Sequence, residues 1–149
     1  MRELKISAIR EGTVIDHIPA KNTFKVVEIL DLAGHENVTS IATNLKSRKM
    51  NLKGIVKVGG RELTQEEVNK VALIAPEATV SIIKEYNVKK KFKLKTPENV
   101  DGIIKCSNPK CITNVDSVKT RFTIIHGKPL EARCDYCERV MKEDELILL

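Results

Sequence analysis

Four cysteines carry the most legible chemistry in this 149-residue chain. They fall in two close pairs, Cys106-Ser107-Asn108-Pro109-Lys110-Cys111 and, twenty-two residues later, Cys134-Asp135-Tyr136-Cys137. Two such pairs are the usual written form of a tetrahedral four-thiolate zinc site, each pair giving two ligands from one turn. Asn108-Pro109 favours a bend inside the first pair, and the two-residue spacer of the second brings its sulfurs to one point. Two disulfides, or buried inert thiols, are the competing readings of the same spacing. Nothing in the sequence points to secretion, and reducing compartments disfavour disulfides. Four thiolates fill the tetrahedron and leave no position for water or substrate. The expectation is therefore one structural Zn2+ per chain, contributing folding energy and no chemistry. A zinc hydrolase is disfavoured on the same ground. His126 is a further candidate ligand, but the cysteines already complete the count.

A second constellation lies near the start. Gly12-Thr13-Val14-Ile15-Asp16-His17-Ile18-Pro19-Ala20 sets Asp16 beside His17 on a short strand next to a loop. A carboxylate accepts hydrogen bonds from ribose hydroxyls, and an imidazole N–H donates to phosphate. Lys57 and the run Lys89-Lys90-Lys91-Phe92-Lys93-Leu94-Lys95, with five lysines in seven residues, are cationic partners for a polyphosphate. Plainer readings compete: Asp16 caps a turn, His17 is a satisfied edge residue, and the lysines form a solvated face. No glycine-rich loop leads into a helix, so the chain carries neither a P-loop nor a Rossmann phosphate site.

Composition narrows the classes. A hydrophobic content of 42% supports a core, and an aromatic content of 3% with no Trp makes that core aliphatic. No apolar run approaches the roughly 20 residues that cross a bilayer. Met1-Arg2-Glu3-Leu4-Lys5 lacks the apolar stretch of a signal peptide, so a cytoplasmic protein with no membrane partner is expected. The net charge of +6 suggests an anionic partner. Residues 1–96 hold 18 Lys+Arg against 11 Asp+Glu, a net of +7, and residues 97–149 hold 8 against 9, a net of −1. The basic character thus lies outside the cysteine region. This counts against the alternative of a nucleic-acid-binding zinc ribbon, as does a ribbon with only Phe122 and Tyr136 for base stacking.

The elements that must position these residues follow from periodicity. Leu4–Ile9 alternates as a strand, and Val14–Ile18 continues it beyond Glu11-Gly12. Asn22 suits the N-cap of a helix from Thr23, with Phe24, Val27, Ile29, Leu30 and Leu32 as its apolar face and Gly34 as its C-terminal cap. Val38–Leu45 and Lys53–Val58 read as strands around the basic turn Lys46–Lys49. Thr64-Gln65-Glu66-Glu67 is a capping box opening a helix that Pro76 stops. Ala78–Val88 is β-rich. The order strand, helix, strand, strand, helix, strand is the ferredoxin-like βαββαβ pattern. Thr96-Pro97-Glu98-Asn99 reads as a linker. A strand enters the metal site at Gly102–Cys106, a hairpin turns at His126–Pro129, and Leu146–Leu149 is a last strand. The fold class is thus α+β: a ferredoxin-like domain at 1–96, then a small all-β zinc-ribbon-like domain at 97–149. A β unit of about fifty residues has little core of its own, so a metal staple is physically expected.

The Gly12–Ala20 motif, the segment Ala75-Pro76-Glu77-Ala78-Thr79-Val80 and the four cysteines together resemble the regulatory chain of aspartate carbamoyltransferase, over essentially the whole sequence. The resemblance implies a non-catalytic regulatory subunit in pyrimidine biosynthesis, its N-terminal domain an allosteric site for the nucleoside triphosphates ATP and CTP, and UTP in some members. It implies a zinc domain docking on the catalytic chain, and regulatory chains pairing as a homodimer. By position it puts Ala8, Ile9 and Val14 along the base, with Ile9, Tyr86 and Val88 offering backbone groups and Ile83 packing close by. Asp16 and Lys57 would hold the ribose, and His17 and Lys91 the phosphates, with Lys53 nearby. Ser7 and Ser81 stand where the best-known bacterial pattern has Glu and Asn, beside the base and ribose. Nucleotide preference and the sign of the response therefore do not carry over.

Overall fold

The structure, a computed structural model, describes residues 8–149. The chain divides into two compact units, the first ending at Leu94 and the second running Lys95–Leu149.

The first unit is built on β1 (Gly12–Pro19), α1 (Thr23–Ile29), β2 (Thr39–Ser47), β3 (Asn51–Gly59), α2 (Gln65–Ile74), β4 (Thr79–Lys84) and β5 (Asn87–Lys93). The sheet is antiparallel, in the order β2-β3-β1-β4-β5. Its first four strands have the ferredoxin-like arrangement, and β5 is an added edge. Of the strand expected at Leu4–Ile9, residues 4–7 lie outside the described residues, and Ala8 and Ile9 are irregular. Among the described residues the first strand is therefore the Gly12–Pro19 stretch.

Alternation along these strands decides which face is dry. Thr13, Ile15, Val56, Val58 and Val80 are buried, and the helices pack on that side. From α1 and its C-cap come Val26 and Leu30, from α2 Val71, Ala72, Leu73 and Ile74. The expected apolar face of α1 needs correction. Val26 and Leu30, spaced i,i+4, set its register, and Phe24 is 63% exposed. The expected caps differ too. Asn22 precedes the helix but makes no side-chain cap; its Nδ2 donates instead to Ile74 O at 2.8 Å. The helix ends at Ile29, well before Gly34, and Asp31 takes the left-handed conformation. The α2 capping box is as expected: Glu67 N–H donates to Thr64 Oγ1 at 3.2 Å, and Thr64 N–H to Glu67 Oε1 at 3.0 Å. Arg61, ion-paired with Glu67, donates to Leu30 O at 2.7 Å. The two helices are therefore tied at both ends. Close packing needs Gly54, where a Cβ would fall 1.9 Å from Thr23 Oγ1.

Residues 78–88 make two strands, not one. β4 and β5 form a hairpin turning at Glu85-Tyr86, both with positive φ. Most of the lysine run is thus an edge strand. Lysine on an edge opposes pairing with a foreign strand.

The second unit holds β6 (Asn99–Asp101), β7 (Ile104–Lys105), α3 (Ile112–Val115), β8 (Arg121–Ile125), β9 (Glu131–Cys134), β10 (Val140–Lys142) and β11 (Ile147–Leu148). One sheet runs β10-β9-β8-β6, and β11 pairs with β7. It is an all-β unit apart from the single turn of α3 and a 3-10 turn at Glu143–Glu145. Phe122, Ile104, Met141 and Ala132 are fully buried, together with Cys134. Asn99, expected in the linker, already belongs to β6.

Candidate functional site

The cysteines arrive from four places. Cys106 follows β7, Cys111 precedes α3, Cys134 ends β9, and Cys137 closes the turn that follows. All four sulfurs lie within 4.8 Å of one another. Two separations cross between the pairs: Cys106 to Cys137 is 3.6 Å and Cys111 to Cys134 is 3.7 Å. A tetrahedron with Zn–S bonds of about 2.3 Å has edges of about 3.8 Å. The sulfurs are too far apart for disulfides, and all four cysteines are free. The donor set is geometrically arranged to chelate a metal ion and suits a structural Zn2+. His126 is not among the clustered donors.

Without metal, burial opposes charge on two of the four thiols. Burial pushes the Cys106 thiol up to about 12 and raises Cys134 as well. Burial would also raise Cys137, but hydrogen bonds from the Arg139 backbone and the Asn108 side chain bring it down to about 7. A dication reverses this balance by taking the cysteines as thiolates.

The second set of residues meets on the face of the first sheet opposite the helices. Ser40, Lys57, Val14, Ser81 and Lys91 are successive cross-strand partners, one from each strand. Directly paired residues share a face, so this row lays two lysines, two hydroxyls and an apolar spacer across the whole sheet. Ser40 was not picked out by sequence. The next row contains Asp16, Thr79 and Lys93.

Asp16 and His17 occupy a β-bulge. Ile15 pairs with Val56 and Ile18 with Gly54, so two residues of β1 oppose Ile55 alone. His17 has φ 59°, and its N–H donates to Asp16 Oδ1 at 2.6 Å. Bulges re-aim side chains and are frequent beside functional sites. Lys53 Nζ pairs with the Asp16 carboxylate, and His17 Nδ1 lies 3.0 Å from Thr79 Oγ1. Thr79 was seen only as part of a motif. Its spacing of two from Ser81 was the signal that put it on the same face.

The remaining predicted residues gather at one end of this sheet. Ile83 pairs with Gly12 on one side and Val88 on the other. Tyr86 N–H donates to Arg10 O at 3.0 Å, so that donor is already engaged; the Tyr86 and Val88 side chains are exposed. Ala8 and Ile9, with Arg10, Glu11, Asn37, Val38, Gly59 and Gly60, line a cavity of about 570 Å³. Ser7 lies outside the described residues.

Two family models match the chain in succession. The allosteric domain of the aspartate carbamoyltransferase regulatory chain matches residues 4–95, and the metal binding domain of the same chain matches residues 98–147. The chain belongs to the aspartate carbamoyltransferase regulatory chain family. Regulatory chains of similar sequence include that of Pyrococcus horikoshii, 55% identical over 149 residues, covering 99% of this chain and 98% of the relative. That of Pyrococcus abyssi is 54% identical over 149 residues, with the same coverage. That of Methanopyrus kandleri is 46% identical over 145 residues, covering 96% of this chain and 93% of the relative. As a regulatory chain it is non-catalytic. The sheet face described above falls within the allosteric-domain match, and the cysteine cluster within the metal-binding match. Among the described residues no helix is long and apolar enough to cross a membrane.

Proposed function

We propose that this regulatory chain senses nucleoside triphosphates on the open face of its five-stranded sheet and passes the result to an aspartate carbamoyltransferase catalytic chain through its four-cysteine unit. The reading rests above all on the row Lys57–Val14–Ser81–Lys91, four successive partners on β3, β1, β4 and β5, with the Asp16-His17 bulge beside it. Cations for phosphates, a carboxylate for a sugar and an apolar residue for a base are the groups that a nucleotide requires. Residues 1–96 act as the nucleotide domain and residues 97–149 as the docking domain, in the cytoplasm, with regulatory chains paired as a homodimer.

The chemistry of the metal supports the division of labour. A closed four-thiolate site holds a β unit in shape and offers no open position for a reaction. Cys106, Cys111, Cys134 and Cys137 would hold the zinc, and its contribution is folding energy. Coupling requires nucleotide to bind one state of the assembly more tightly than another, since equal affinities shift nothing. Phe122, one of two aromatics in the cysteine unit, is fully buried and unavailable for stacking, which weighs against nucleic acid.

Calorimetry with ATP, CTP and UTP on the free chain and on its complex with a catalytic chain tests the proposal. Saturable binding whose affinity differs between the two states is expected. No binding in either state overturns the nucleotide reading. Affinity purification separates the partners: recovery of a carbamoyltransferase catalytic chain supports regulation, and recovery of RNA or DNA alone refutes it.

A further inference from the structure

The two cysteine pairs are built differently. In Cys134–Cys137 the backbone closes the turn on itself. Cys134 N–H donates to Arg139 O at 2.9 Å, and Glu138 N–H to Cys134 O at 2.8 Å. The Cys106–Cys111 loop is two residues longer; besides its own Cys111 N–H to Asn108 O bond at 3.0 Å, it is held by the turn of α3 that follows. Asn114 Nδ2 donates to Cys106 O at 2.9 Å and to Asn108 O at 2.7 Å, closing the loop from outside. Thr113 Oγ1 lies 3.2 Å from Cys111 Sγ, with the hydroxyl donating.

Four thiolates around a dication leave a net charge of −2 in a buried place. Groups that hydrogen-bond the ligands absorb part of that charge and fix the ligand directions. Cys111 receives a side-chain hydroxyl, which a single substitution can remove without changing shape.

We propose that the Thr113 hydroxyl is a positioning donor for the Cys111 thiolate and that, with Asn114 bracing the longer loop, it sets how firmly this half of the site retains metal. The proposal goes beyond the nucleotide reading and rests on the four-thiolate zinc reading.

The test uses the full chain loaded with Zn2+. Transfer of zinc to 4-(2-pyridylazo)resorcinol is followed for the wild type, Thr113→Val and Thr113→Ser, and each is also loaded with Co2+. Loss of a group that hydrogen-bonds a metal ligand typically weakens retention by about 10- to 100-fold. Thr113→Val should release zinc at least about tenfold faster and shift the thiolate-to-cobalt charge-transfer band. Thr113→Ser, which keeps the donor, should match the wild type in both. Equal release from wild type and Thr113→Val overturns the proposal, as does a Thr113→Ser as impaired as Thr113→Val. Circular dichroism in saturating zinc guards against misfolding: a Thr113→Val chain still unfolded there would show that the residue serves the fold, which also overturns it. Failure of the wild type to bind zinc at all would sink the four-thiolate reading itself, a distinct outcome.

Discussion

Lys53 Nζ lies 2.9 Å from Asp16 Oδ1 and 3.2 Å from Oδ2, so one ammonium caps both oxygens of the carboxylate on the β1 bulge. The same carboxylate accepts the His17 N–H at 2.6 Å. Asp16 thus fixes the backbone turn that aims His17, and Lys53 fixes Asp16. Both side chains are about a quarter exposed, 27% for Asp16 and 21% for Lys53. The pair therefore lies between an exposed ion pair, which contributes about 0–1 kcal/mol, and a buried one. Asp16→Asn keeps an acceptor for His17 and removes the charge. It should lower stability by about 1 kcal/mol in urea unfolding and weaken nucleotide binding by calorimetry. Reduced stability with unchanged affinity would assign Asp16 to the fold alone.

Lys57 sits one strand from Val14 and two from Ser81 in the same row. A charged hydrogen bond contributes about 1.5–3 kcal/mol, and 1.4 kcal/mol is tenfold. Lys57→Ala should therefore weaken nucleoside triphosphate binding by about tenfold or more. Zinc content and assembly with the catalytic chain should be unchanged, as measured by metal analysis and analytical ultracentrifugation. Loss of assembly would make Lys57 structural.

The features that sequence exposed were those set by local chemistry. Cysteine spacing, the Thr64–Glu67 box and the alternation of β1 and β3 each depend on a few neighbouring residues. The features it hid depend on pairing. The Asp16-His17 bulge exists because Ile15 and Ile18, three apart, must both reach the buried side, and that break in the two-residue period was the one available clue. The β5 strand was hidden because a lysine run suits an edge strand, a solvated face or a linker equally well. Its turn uses Glu85 and Tyr86 at positive φ, where Asn and Gly are the usual signals. Phe24 turns outward because the helix is only seven residues long and the buried Val26 and Leu30 fix its rotation.

Thr64 closes a reciprocal cap at the start of α2. Replacing such a cap with Ala costs about 0.5–2 kcal/mol. Thr64→Ala should lower the unfolding midpoint of the first unit by that amount of free energy, measured by urea titration. The partner side of the box, Glu67, also pairs with Arg61, which reaches Leu30 O on α1. Glu67→Gln should therefore be milder at the cap and should loosen the α1–α2 connection, read as faster hydrogen exchange at residues 26–30. An unchanged exchange pattern would separate the cap from the interhelical tie.

Metal removal should act on one unit only. The second unit buries three of its cysteines in the same small core as Phe122, Ile104 and Met141. Burial raises the Cys106 and Cys134 thiols, so without metal the site holds neutral thiols and the hydrogen bonds of its loops, whereas bound metal draws four strand and turn ends to one point. Structural zinc in small domains contributes folding free energy outright. Chelation should therefore abolish hydrogen-exchange protection across residues 95–149 while leaving the β1–β5 sheet protected, and zinc should restore it. Cys111→Ala should have the same effect and should prevent docking on the catalytic chain. Retained protection after complete zinc removal, or normal docking by Cys111→Ala, would contradict a structural role for the metal. A loss of protection that spread equally into the first sheet would instead show that the two units fold as one cooperative body.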